Sequence, residues 1–505
     1  MMLRLPKSRF LRALIYVTSA LLVLLAIDLF WVRMWRHISV STQTTSIVEP
    51  LKSDGTPDYL RYLEDRAREG VTVDNNAMIP LLQSIAPEWR DKDESEPLRP
   101  EYYQKLGIAL PARPVTLIRY GRFLQSRHPG ESLPQKLFDE ESSLRTHPWS
   151  AADHPDASAW IDAHAAALDA LPAITDRTRI YLPMIPSYHD MLISVPIPHV
   201  SAMKFLGQLA VTRAMRNVHD KKFAEAQVDL LAAHRLARLS AQGWTVIDYL
   251  IALVIERDVT DADLAFAGAP GLTAEQLHQF TKAVNAPPRW PEKPPAFEFE
   301  RYEVLDSLQW LCLNPQSAGD LLNNTRPIHD TAALNRAGLT FRPANFNAAA
   351  ADANIFFDHY HTSFQAATIL ERERQTAQVD ADMALYARKN GGWFGDPARQ
   401  VLAVMIPSMA TFATRHDMRC TAETMLPVAL ALFAARADIG QFPDTLQTLV
   451  PKYVAAIPPD PYGTQLKYRK TAEGFVLYSI GPNQKDDSGK KSDTLDGGDI
   501  VIQFP

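Results

Sequence analysis

Two cysteines in 505 residues exclude a disulfide-stapled scaffold. Cys312 and Cys420 are compatible with a single bridge or with two inert core thiols, and they lack metal-ligand spacing. Glycine is also scarce, at 21 residues against 37 prolines. That balance disfavours a glycine-rich β-sandwich and suits helices separated by stiff loops. There is no excess of positive charge: 52 Lys and Arg face 58 Asp and Glu, for a net charge of −6. Nothing in this balance points to a nucleic-acid partner. No G-x-S-x-G, H-E-x-x-H, P-loop or Rossmann fingerprint occurs, which removes the readily recognised hydrolase, zinc-protease and nucleotide-binding classes. What remains is an ordinary globular composition, 46% hydrophobic and 22% charged. The chain is long enough for roughly two to four domains.

One apolar run stands apart. Residues 13–32, ALIYVTSALLVLLAIDLFWV, carry a single charge, Asp28, and match the length of a membrane-spanning helix. Trp31 and Trp35 fall where an interfacial aromatic belt belongs. Arg4, Lys7, Arg9 and Arg12 precede the run, while only Arg33 and Arg36 follow it. The positive-inside rule therefore predicts residues 1–12 as a cytoplasmic tail, with the bulk outside, in the periplasm. The run is longer than a signal-peptide core and no small-x-small site follows it, so it predicts a permanent single-pass anchor. Two later apolar stretches, 401–413 and 425–435, are short and contain Pro407 and Pro427. They read as buried core helices.

Residues 33–56 read as a polar linker, followed by a helical body over 57–290. Helical spacing predicts helices at 58–70, 76–85 and 157–171, with Pro172 closing the last. Segments 201–216 and 222–240 predict an antiparallel helical hairpin, extended by 244–258 and 273–284. Prolines 287, 288, 291, 294 and 295 mark a break. The region 291–395 then reads as a helix at 298–313, an irregular stretch to about 347, one long helix at 351–387 and a turn at 391–395. A proline-interrupted helix follows to 437. Only after Ile439 does the pattern become β, with strands expected at 466–469, 475–479 and 500–504. The predicted class is mainly α, with a small α+β C-terminal domain carrying a short antiparallel sheet.

Region 396–505 holds the most specific succession. A helix ends at Gly440-Gln441-Phe442-Pro443. A turn follows at Asp460-Pro461-Tyr462-Gly463, then Tyr478-Ser479-Ile480-Gly481-Pro482-Asn483, and an acidic loop runs into Asp499-Ile500. Asp before Pro favours a turn with an extended lead-in, and Gly463 is expected to supply a positive φ. This order of motifs resembles the C-terminal half of the major pseudopilins of type II secretion systems, over about 80–100 residues. The whole chain resembles large membrane-anchored bacterial proteins, planctomycete ones among them, that end in such a segment. Five carboxylates, Asp486, Asp487, Asp493, Asp496 and Asp499, crowd this loop and repel one another unless cations intervene. Hard oxygen donors suit Ca²⁺, and the pseudopilin resemblance implies calcium on these aspartates. The alternative is a solvated loop neutralised by Lys485, Lys490 and Lys491. A pseudopilin's processing motif is not found, and some 370 residues separate the apolar run from the pilin-like segment, which argues against a pilus subunit.

Three further clusters were candidates for chemistry. Glu298, Glu300, Glu303 and Asp306, with Arg301, read as helix-dipole partners of a first turn. Asp358, His359, His361 and Glu371 allow an acid–base or metal pair at i, i+3. Arg415, His416 and Asp417 near Cys420 read as an exposed charged helix face. With no catalytic residue assigned, the leading expectation is a non-enzymatic scaffold or interaction protein of the cell envelope, with the membrane and envelope proteins as partners. The alternatives are a membrane-tethered hydrolase with its site in the helical body and an accessory component of type II secretion machinery.

Overall fold

A computed structural model describes residues 17–20, 23, 37–86, 98–132, 137–286, 290–291, 295–315, 344–392, 394–490 and 498–504. Of the expected membrane segment, only Val17–Ala20 and Val23 fall within this set, helical and exposed. The rest of 13–32, the irregular stretch at 316–343, and Asp493 and Asp496 lie outside the described residues.

The chain is mainly helical, with one three-stranded antiparallel sheet. Short helices come first: α1 (Tyr59–Arg68), α2 (Met78–Ser84), α3 (Pro100–Leu106), α4 (Tyr120–Arg127), α5 (Leu137–Thr146), α6 (Pro155–Ala163), α7 (Ala165–Asp169) and α8 (Leu171–Thr175). The single helix expected at 157–171 is broken at His164. Its ring accepts from the Ile118 amide at 2.9 Å and lies 2.7 Å from the Trp160 carbonyl, a pairing that holds the backbone at φ −108°, ψ 13°.

The expected hairpin is present as α9 (Pro198–His219) and α10 (Phe223–Ser240), joined at Asp220–Lys222, and α11 (Val246–Ala267) completes a mutually packed trio. Thr245 starts α11 with a reciprocal capping box to Asp248, which satisfies two otherwise orphaned amides. Then come α12 (Ala274–Val284), α13 (Ala296–Leu313), α14 (Phe346–Ser363), α15 (Ile369–Asn390), α16 (Pro397–Met405) and α17 (Ala410–Ile439). Where one helix was expected at 351–387 there are two. Thr368 accepts from the Glu371 amide at 3.2 Å and opens a new helix, so α14 and α15 fold back on each other. Of the expected linker 33–56, residues 37–56 are described and are docked on the body: the Asn354 side-chain amide donates to the carbonyls of Gln43 and Thr44, and Thr45 and Ile47 are buried.

Two hydrophobic clusters organise the interior. One joins α2–α12 to the C-terminal sheet, and the other joins α1 and residues 290–312 to α14–α16. Both α11 and α17 run through the two. Tyr249, Ala252 and Ile255 of α11 serve one cluster while Val259, Ala262 and Phe266 serve the other. Likewise Phe412 near the start of α17 belongs to one and Met425–Ala435 to the other. By length and composition the stretch Pro397–Ile439 could cross a membrane, yet most of its apolar window is buried in the protein, as a core helix would be.

Gly440 ends α17 in the left-handed region, φ 80°, a glycine-favoured stop. Strands β1 (Lys467–Lys470), β2 (Phe475–Ser479) and β3 (Ile500–Phe504) pair in the order β1-β2-β3. Phe475 and Phe504 face each other in register and meet Phe433 and Phe442 edge-on. The sheet is thus anchored on α17 by an aromatic cluster. At the 460–463 turn the expectation for Gly463 needs correcting. It does not adopt a positive φ, and what favours glycine there is close packing. A Cβ would sit 3.1 Å from both the Asp460 carboxylate and the Ile480 side chain.

Candidate functional site

The crossing of α15, α17 and the 460–463 turn gathers a largely buried group of titratable side chains, His416, Asp417 and Cys420 among them. Helical spacing places His416 and Cys420 of α17 on one face, with Nε2 and Sγ 3.5 Å apart. The Tyr249 hydroxyl from α11 lies 2.6 Å from His416 Nδ1. Arg372 of α15 donates to Asp417 Oδ1 at 2.6 Å, and Asp417 Oδ2 has no hydrogen-bond partner. Arg419 donates to Cys420 Sγ at 2.8 Å and to Glu423 at 2.6 Å, and stacks over Trp290 at 4.4 Å. Glu373, beside Arg372, accepts from the Tyr462 hydroxyl at 2.7 Å, which joins the helical body to the C-terminal segment.

His416 and Asp417, expected on an exposed face, are 5% and 0% exposed. Only Arg415 of that group faces solvent. The correction has a simple cause: α17 is covered on more sides than its local sequence declares, because α15 and α11 pack against its first half. Burial lowers the imidazole pKa to about 3, and the Arg419 and Arg372 guanidiniums push it the same way. Burial raises the Asp417 carboxyl to about 7 against the pull of Arg372, with Glu373 adding to the rise. Burial also raises the Cys420 thiol and the Glu373 carboxyl. His416 is therefore neutral throughout the physiological range, whereas Asp417 changes charge near neutrality.

Beside this group, a solvent-open recess of about 490 Å³ is lined by Thr368, Leu370, Glu371, Glu373, Arg374 and Gln484. It straddles the first turns of α15 and the C-terminal segment. Glu373 belongs both to its wall and to the buried network.

As a metal centre the group fits poorly. His416, Asp417 and Cys420 do present three donor atoms within 4.8 Å of one another. However, Arg372 occupies one Asp417 oxygen and Arg419 lies on the Cys420 sulfur, so a divalent ion would enter between two fixed cations. Both cysteines are free thiols, Cys312 buried.

The other nominated clusters do not converge. Glu298 pairs with Arg66 at the surface (2.7 Å). Glu298 stands in the first turn of α13 as expected, whereas Glu300, Glu303 and Asp306 are buried further along the helix. Asp306 accepts from the Leu192 amide at 2.9 Å, faces Lys52 at 3.9 Å, and is raised to about 6 by burial. Asp358 is bound by Arg301, His361 lies against Gln365, and Glu371 is bound by Arg374 in the next helix.

Among the aspartates of the C-terminal loop, Asp499 accepts from the amides of Gly489 (2.6 Å) and Asp487 (3.3 Å). Asp486 accepts from the Tyr478 hydroxyl and the Ser488 amide, and Asp487 from Asn483. Burial raises the Asp499 carboxyl, and the neighbouring charges of Asp487 and Asp486 raise it further.

The sequence reading missed Arg372, Glu373, Arg419, Tyr249 and Tyr462. Arg372 and Glu373 sit in a run, Glu371–Arg374, that reads as a solvated charged helix. Tyr462 was noticed only as a turn residue. In comparison with known proteins, no family model, no curated protein and no solved structure matches the chain.

Proposed function

We propose that this chain is a membrane-tethered interaction protein of the cell envelope, held by residues 13–32 with its bulk outside the cytoplasm. In this reading the recess between α15 and the C-terminal segment receives a protein partner. The recess carries the proposal: it is open, bears both charge signs on Glu371, Glu373 and Arg374, and is bounded by two parts of the chain at once. The nominated acids support the same reading, since Glu298, Asp358 and Glu371 are each held by an arginine, Asp306 is held by the Leu192 amide, and only Glu371 among them lines the recess. The test is photocrosslinking in intact envelopes from a probe at Gln484, with Gln279 as a remote surface control. A discrete adduct at 484 that is absent at 279 and lost in Arg374→Glu is expected. Equal labelling at both positions would sink the proposal.

The pilin-like segment adds calcium as a second element, on Asp486, Asp487 and Asp499 together with Asp493 and Asp496. Three carboxylates gather around one turn, the most shielded of them raised by burial and further by its acidic neighbours, a setting that a hard cation relieves. Thermal unfolding with Ca²⁺ and with chelator tests it. A higher Tm in Ca²⁺ that disappears in Asp486→Ala and Asp499→Ala is expected, and identical curves would remove the metal. The same resemblance supports an accessory role in type II secretion. A hydrolase reading has one observation in its favour, the buried Asp417 carboxyl raised to about 7 in the network that Glu373 links to the recess. It requires a hydrolytic turnover that Asp417→Asn abolishes with the fold intact.

A further inference from the structure

If residues 13–32 span the membrane, the structure determines which face of the body meets it. Residue 37 follows residue 32 by five steps, so the tether reaches at most about 17 Å even when fully extended. The start of the body is pinned. The His37 carbonyl accepts from Asn347 Nδ2 at 2.6 Å and the Ser39 amide donates to Asn347 Oδ1 at 2.7 Å. Asn347 lies in the first turn of α14, so that helix end is held close to the bilayer surface.

The turn between α15 and α16 is fastened to the same helix end. The Asn345 amide donates to Asp396 Oδ2 at 2.9 Å, while the other Asp396 oxygen caps α16 through the amides of Ala398 and Arg399. Gln400 donates to the carbonyls of Asn390 and Gly392 at 2.8 and 2.6 Å. Gly395 is packed so tightly on the Asn390 carbonyl that a Cβ would lie 1.7 Å from its oxygen. The described residues of the turn are therefore braced against α15 and α16, and Phe394 is 100% exposed. Arg388 and Lys389, both exposed, occupy the last turn of α15 immediately before it.

We propose that this face, the first turn of α14 with the braced turn at Phe394, lies on the lipid headgroups. Phe394 enters the interfacial layer and Arg388 and Lys389 meet anionic phosphates. An aromatic ring gains from the headgroup boundary what it cannot gain in water. Adjacent basic side chains add attraction near an anionic surface. One apolar contact alone binds weakly, but here the anchor supplies the local concentration and the turn only has to orient the body. This inference rests on residues 13–32 being an anchor.

The experiment uses the full chain reconstituted into phosphatidylcholine vesicles, with and without phosphatidylglycerol. An environment-sensitive fluorophore is placed on Phe394→Cys, with Phe138→Cys, 85% exposed, as control. Cys420 is replaced by alanine in both, and Cys312 is buried. Expected is a blue-shifted emission at 394, quenched by doxyl-labelled lipid and larger with phosphatidylglycerol, and none at 138. Arg388→Glu with Lys389→Glu should remove the phosphatidylglycerol increment. Carbonate-resistant co-flotation with an unshifted 394 label would overturn the face and spare the anchor. Loss of the protein from the vesicles under carbonate would overturn both.

Discussion

His234 and His416 are both buried in the same helical framework, at 1% and 5% exposure, yet one is charged and the other neutral. His234 of α10 sits between two carboxylates of α11, with Nδ1 3.1 Å from Glu256 and Nε2 2.8 Å from Asp263. With both carboxylates ionised, both ring nitrogens donate and the ring is an imidazolium. Burial alone would lower its pKa, but Glu256 and Asp263 outweigh burial and raise it to about 10. His416 has no carboxylate on either ring nitrogen. Burial, Arg419 and Arg372 together lower it to about 3. Burial by itself therefore says little about a histidine's charge. The sign of the groups that share its cavity decides it. The helical trio uses charge as an internal lock, whereas the α15–α17 crossing holds a neutral ring beside a carboxyl that titrates near neutrality.

The largest expected contrast comes from removing each ring. His234→Leu leaves two carboxylates facing each other in the interior and should destabilise by about 3–5 kcal/mol. His416→Gln removes a neutral hydrogen-bonding group and should destabilise by about 1 kcal/mol. Urea unfolding measures both, and equal losses would break the comparison.

The pH dependence sharpens it next. A raised histidine contributes stability that is complete below its ordinary value of 6.5 and is lost as pH climbs through about 10. A lowered histidine contributes stability present above 6.5 and lost as pH falls toward about 3. The two residues thus erode stability from opposite sides. His234→Gln should flatten the alkaline limb of a stability–pH curve and His416→Gln the acid limb. A smaller effect is expected at Asp417, whose raised carboxyl contributes stability that is complete below 3.8 and declines as pH rises through about 7. Asp417→Asn should remove that slope, and an unchanged curve would assign the titration elsewhere. The smallest is Tyr462→Phe, which deletes one bond to Glu373 and should cost about 1 kcal/mol, read as a modest fall in Tm that leaves the pH curve of His416 untouched.

Much of the fold was legible because its signals are local. The hairpin of α9 and α10 announced itself by apolar spacing, and the three strands by aromatic and β-branched runs. The breaks at His164 and 364–368 were not legible. One depends on the His164 ring meeting Ile118, and the other on a cap at Thr368 inside a pattern that stays helical on both sides. The candidate site was half visible. His416, Asp417 and Cys420 were noticed and assigned to the wrong surface, since their burial is imposed by α11 and α15.

By itself the sequence determined the secondary structure class, the strand order's raw material, the aspartate-rich C-terminal loop and the presence of one long apolar run near the N-terminus. Those follow from composition and from periods of two and of three to four residues, which neighbours in the chain encode directly. Tertiary structure decided the rest. It set Arg372 against Asp417 from 45 residues away, gave one histidine a proton and denied it to another, and set the turn at Phe394 beside the point where the described body begins. Charge state and surface position depend on what packs around a group, and that is a property of the folded arrangement.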